Sequence, residues 1–161
     1  MTVSKLKIKR LSQVMGQFAT GLSVVTTQLE GQISAQHIPS FTAVSNEPPL
    51  ILFCLPKSAA IISTLRESKY FAVNVLPMKI GEANRSDASI QERFGQEIDF
   101  ESTTKSPIFS QPLAWLDCKL RSIQDGGNHY ILIGKVRDLD YQFADSPLLH
   151  FTGKYQNILE V

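Results

Sequence analysis

A mainly β fold with a few helices, built as an antiparallel barrel, is what this sequence predicts. Two observations lead there. Short segments rich in Val, Ile, Thr and Phe recur along the chain, each strand-sized and each bounded by Gly, Pro, Asn or Asp. Helical patterns are few and short, so strands must build most of the core.

The elements follow in chain order. Leu11 to Phe18 reads as a short helix stopped by Gly21, and Leu22 to Gln28 as a Val- and Thr-rich strand before a turn at Gly31. Strands through Phe41 to Ser45 and Leu50 to Leu55 flank Pro48 and Pro49, which block helix and pre-set an extended turn. Ser58 is suited to cap a helix from Ala59 to about Glu67, with Ile61, Ile62 and Leu65 on one face. Tyr70 to Leu76 reads as a strand. The polar, broken stretch from Lys79 to about Phe94 suggests one or two surface helices, and Gln96 to Gln111 a long surface loop. From Ala114 to Ile123 the residues alternate: Trp115, Asp117, Lys119 and Arg121 on one face, Leu116, Cys118 and Leu120 on the other. Asp125-Gly126-Gly127-Asn128 is a hairpin signal, and Tyr130 to Leu139 returns.

Composition narrows the classes of function. A chain of 161 residues suits a single domain, 1–161, with one substantial core, and 43% apolar residues is an ordinary globular value. The formal net charge is +1, and no basic stripe alternates with aromatics, which argues against nucleic acid as a partner. Lys5, Lys7, Lys9 and Arg10 form a small basic cluster without a following apolar segment, unlike a signal peptide. No apolar run is long enough to span a bilayer, so no membrane partner is expected. Cys54 and Cys118 lie in apolar strand-like segments with no ligand spacing; buried free thiols in a cytoplasmic protein are expected. No catalytic triad, metal-ligand cluster or G-x-G-x-x-G fingerprint is present.

The most specific stretch is Ser40-Phe41-Thr42-Ala43-Val44-Ser45-Asn46-Glu47-Pro48-Pro49-Leu50. It resembles the signature of the flavin reductase-like, split-barrel FMN-binding family, the short-chain flavin reductases of two-component monooxygenases. There an S-F-x-x-V-S strand runs past the flavin and a D/E-P-P-L turn feeds a hydrophobic strand. Three further segments are similar to that family, in its order: Val14 to Thr27, Gly127-Asn128-His129 with Gly134-Lys135-Val136, and Pro147 to Tyr155. The resemblance implies a split β-barrel of Greek-key type, usually a homodimer with flavin near the subunit interface. It also implies FMN, with FAD as the other flavin, and NADH or NADPH as co-substrate. Hydride would pass from nicotinamide C4 to flavin N5, and reduced flavin would serve a partner monooxygenase. Such chemistry needs stacking and orientation more than a protein acid or base.

Several residues become site candidates. Lys57 and Ser58 precede the expected helix, where unpaired N–H groups and partial positive charge favour an anion. On the residues alone this reads equally as an ordinary cap beside a solvated lysine; the resemblance implies a contact to the flavin phosphate. Ser40, Val44 and Ser45 belong to the signature strand; both hydroxyls reach one ligand only if a bulge or a strand end intervenes. Ala35, Gln36, His37, Ile38 and Pro39 stand where the family commonly has G-M-T-A-N, small residues and backbone amides lying along the flavin ring. Here Pro39 removes a backbone donor, and Ile38 and His37 add bulk. His37 reads equally as a half-exposed strand histidine. By resemblance His129 positions the nicotinamide, with Asn128 replacing the family's aspartate; otherwise it is a hairpin histidine. The Gln36–Pro39 departure leaves open a non-catalytic split barrel that holds flavin or haem, and a scaffold without cofactor is a third class.

Overall fold

The computed structural model describes residues 5–39, 41–77, 98–99, 102–142 and 146–156. Among these described residues two helices and twelve strands follow one another: α1 (Lys5–Met15), β1 (Thr20–Gly21), β2 (Ser23–Leu29), β3 (Gln32–Ile38), β4 (Phe41–Asn46), β5 (Pro49–Pro56), α2 (Ile61–Ser68), β6 (Tyr70–Val75), β7 (Ile98–Asp99), β8 (Ile108–Phe109), β9 (Ala114–Gly126), β10 (His129–Tyr141), β11 (Leu149–Phe151) and β12 (Lys154–Gln156). Seven of them form one antiparallel sheet in the order β3-β2-β6-β9-β10-β5-β4. The sheet curls until β3 touches β5, yet no ladder closes that gap. The result is a split barrel.

Side-chain alternation explains the curl. One face of each long strand supplies the barrel core: Val25 from β2, Phe53 and Leu55 from β5, Phe71 and Val73 from β6, Cys118 and Leu120 from β9, and Leu132 from β10. The Phe53 and Phe71 rings meet edge-on at 5.3 Å. Helix α2 plugs the barrel with Ile61, Ile62 and Leu65, the face expected from the sequence. Lys69 ends it in the left-handed conformation at φ 63°, its N–H donating to the Leu65 carbonyl.

A second, smaller core lies on the other face of β2. Val24, one residue from Val25, packs with Leu22, Leu76, Phe109 and Leu148. This β2 is therefore buried on both faces, which is why it reads as a run of Val and Thr without polar alternation. The second core corrects the expected surface loop over 96–111. Ser102, Ser106, Pro107, Ile108 and Phe109 are buried, and β8 pairs with β7. A polar network pins this segment to the sheet. Asn74 Oδ1 accepts from Phe109 N at 3.0 Å, Thr26 Oγ1 donates to the Pro107 carbonyl, and Asp117 accepts from Thr104 N at 2.8 Å. Asp117 thus stands on the predicted outer face yet is wholly covered.

Three further expectations are corrected. The first helix runs over Lys5–Met15, ahead of the expected Leu11 to Phe18, and gives way to tight turns at Gly16, whose carbonyl accepts from Thr152 N at 2.8 Å. Ser58 does not cap α2: the cap position is Ala60, with no side-chain bond, because Pro56 O accepts from Ala59 N at 2.9 Å and holds Lys57 and Ser58 in a separate turn. Cys118 is buried, but Cys54 is exposed on β5; both are free thiols. The expected helices between Lys79 and Phe94 lie outside the described residues. Among the described residues no helix is long and apolar enough to cross a membrane.

Candidate active site

Two segments 68 residues apart meet at one end of the sheet. β10 pairs with β5 so that His129 stands opposite Pro56 and Tyr130 opposite Leu55. The contact extends one step further, where Lys57 N donates to Asn128 O at 3.0 Å. Lys57 is therefore a neighbour of Asn128 and lies one residue beyond the position facing His129, with Ser58 next in the chain. The hairpin that presents His129 needs its glycine. Gly127 takes φ +84° at the first of two turn residues and Asn128 does not share that conformation, the pattern of a type II′ turn.

Polar contacts organise this end. Lys57 Nζ donates to Asp125 Oδ2 in a short ion pair, while Asp125 Oδ1 accepts from Gly127 N at 3.0 Å. The hydrogen bond from Lys57, helped by the Gly127 amide and the Lys57 charge, holds the Asp125 carboxyl below its ordinary range. The Lys57 ammonium lies 5.3 Å from the centroid of the Tyr130 ring, and the Arg66 guanidinium 5.1 Å from the same ring. His129 Nδ1 and Asn128 Oδ1 are 2.8 Å apart, so asparagine keeps a hydrogen bond to the imidazole in place of aspartate. With Oδ1 accepting, Nδ1 carries the proton and Nε2 is left for a ligand.

An apolar hollow of about 230 Å³ opens beside β5, lined by Phe18, Pro39, Phe41, Thr42, Leu52, Phe53 and Cys54. Cys54, on the hollow's wall, is three residues before Lys57 on the same segment. A flat aromatic ring suits such walls, and the turn at Lys57 and Ser58 offers a cation and a hydroxyl to an anionic group. The donor set and the hollow together fit a flavin.

The other candidates divide. Pro39 lines the hollow. Ile38 spends its side chain on the barrel core, so only its main chain is left for a ligand. Gln36 and His37 are half-buried on β3, facing Val25 and Val24 in the ladder; Gln36 Nε2 donates to His37 O at 3.4 Å. Val44 is the extra residue of a β-bulge between Ala43 and Ser45, the irregularity that two hydroxyls on one ligand would require. Ser40 lies outside the described residues. Ser45 pairs with Leu50, seven positions before Lys57, which places Val44 and Ser45 about 23 Å along β5 from the cationic end of the same chain. Asp125, Arg66, Tyr130 and Phe18 join the site without having been singled out. Asp125 carried only a turn signal, and nothing local marks a partner 68 residues away.

Residues 15–159 match the flavin reductase like domain family. The chain belongs to the flavin reductase family. A flavin reductase of Pseudomonas putida is 37% identical over 144 residues, 88% of this chain and 85% of that protein. The HsaB reductase subunit of a flavin-dependent monooxygenase in Rhodococcus jostii is 37% identical over 158 residues, 93% and 77% of the two chains. Among solved structures, the NADH:FAD oxidoreductase SgcE6 of Streptomyces globisporus, in complex with NAD and FAD fragments, superposes with a TM-score of 0.86 at 28% identity over 99% of this chain and 97% of that one. The split-barrel fold of this flavin reductase is thus shared with relatives of known structure.

Proposed function

We propose that this chain uses NADH or NADPH to reduce FMN or FAD and hands the reduced flavin to a separate monooxygenase. The observation that carries the reading is the β5–β10 register, which brings the Asn128-His129 hairpin end to the Pro56-Lys57 end of β5, the strand whose Leu52, Phe53 and Cys54 line the apolar hollow. When bound, the flavin supplies the hydride acceptor and the nicotinamide the donor. The protein's part is to bind and orient. Lys57 and Ser58 hold the flavin phosphate, Pro39 and Phe41 flank the ring, and His129 positions the nicotinamide through Nε2 while Asn128 fixes its ring. The names of the relatives, reductase subunits of monooxygenases and an NADH:FAD oxidoreductase, support the co-substrate and the acceptor. They favour catalysis over flavin or haem storage.

A second copy of the chain completes the site in this reading. The hollow is smaller than the roughly 300–1,000 Å³ that enclose a drug-sized ligand. α1 has no buried residue, and its Ile8, Leu11, Val14 and Met15 leave an apolar face uncovered.

Replacing His129 with Ala tests the reading. In stopped flow, flavin-saturated His129→Ala is expected to reduce at least about tenfold more slowly on NAD(P)H addition, with flavin affinity nearly intact. Unchanged reduction rate and unchanged NAD(P)H affinity would take His129 out of the site.

A further inference from the structure

We propose that Asp125 competes with the flavin phosphate for Lys57 and thereby sets how tightly a phosphate-bearing flavin is held. The inference rests on the reading of Lys57 as the phosphate ligand. The carboxylate is aimed, not adventitious: Gly127 N holds Oδ1 at 3.0 Å, and this leaves Oδ2 directed at Lys57 Nζ. The Lys57 ammonium also lies 5.3 Å from the centroid of the Tyr130 ring, a second contact that keeps it beside the carboxylate.

A phosphate arriving at Ser58 meets this carboxylate. Two anions at hydrogen-bond distance from one ammonium repel each other, so the ammonium is handed from one to the other. Two cations, Lys57 and Arg66, lie against the Tyr130 ring, and Asp125 pairs with the first of them. Removing the carboxylate leaves the Lys57 charge free for the phosphate. The doubly charged phosphate monoester of FMN is penalised by Asp125 more than the singly charged phosphates of a dinucleotide, and riboflavin, with no phosphate, not at all. Asp125 is on this view a specificity-determining residue that weakens retention of FMN, as a protein that must release its flavin requires. The pair is solvent-facing, with Lys57 36% and Asp125 70% exposed, so the effect is modest.

Asp125→Asn tests this while keeping an Oδ1 for the Gly127 amide. In fluorescence titrations, its Kd for FMN is expected to fall about two- to fivefold, with riboflavin unchanged and the gain shrinking as salt is added. Lys57→Ala serves as the companion and should weaken FMN selectively. If it does so while Asp125→Asn leaves FMN binding unchanged or weaker, the competition is overturned and the phosphate role of Lys57 stands. If Lys57→Ala weakens FMN and riboflavin alike, the phosphate role falls and the proposal falls with it.

Discussion

Cys118 shows what a single buried group costs as conditions change. Its thiol lies in the barrel core with no exposure, and burial, reinforced by the charge of Asp117, pushes its pKa far above the ordinary 9.0. The folded chain therefore keeps the proton where the unfolded chain gives it up. Unfolding releases a proton above pH 9, so this contribution to stability is complete below that pH and is lost as pH rises beyond it. One thiol gives a slope of up to about 1.4 kcal/mol per pH unit. Cys118→Ala is less stable than the parent near neutrality, and the gap is expected to narrow above about pH 9 in urea melts. A gap of equal size at about pH 8 and about pH 10 would contradict the assignment.

At the scale of elements, the β9–β10 hairpin depends on a missing side chain. A Cβ on Gly134 would lie 2.4 Å from Phe71 Cζ, and that ring is wholly buried against Phe53. Gly134→Ala is predicted to destabilise the fold by about 1–3 kcal/mol, read as a lower urea midpoint at unchanged slope. Phe71→Leu in the same chain should return part of the loss, as contacting sites are coupled; an unshifted midpoint for Gly134→Ala alone would refute the packing argument. While β3 was passed over, the longer strands β2, β4, β5, β6, β9 and β10 and helix α2 were legible from local pattern, as Leu116-Cys118-Leu120 by period two and Ile61-Ile62-Leu65 by the helical period. β8 was not, because Ile108 and Phe109 are ordered by Asn74 and Thr26, more than 30 residues away. The early start of α1 was missed for the opposite reason. Its lysines are good helix formers, yet none of its residues is buried, so no inward face marks it. At the candidate site, His129 and Lys57 were proposed from motifs and Pro39 from a departure from one. Asp125 and Arg66 carried no such signal, since only the folded chain brings them to Lys57 and Tyr130.

For the whole molecule, the uncovered face of α1 predicts a homodimer. Sedimentation at micromolar concentration should find two copies, and Leu11→Asp should shift the population toward the monomer and weaken flavin binding together. Monomers that bind flavin as tightly as the parent would remove the second copy from the site. The long reach between Lys57 and Asp125 has one further consequence. Neither segment alone forms the cationic end, so a chain that has not yet joined β5 to β10 offers a flavin nothing to grip. Ligand then engages folded chains only and shifts the folding equilibrium by mass action, by about 2.7 kcal/mol at a hundredfold excess over Kd. Cellular flavin supply would thus govern how long the reductase survives proteolysis as well as how fast it turns over.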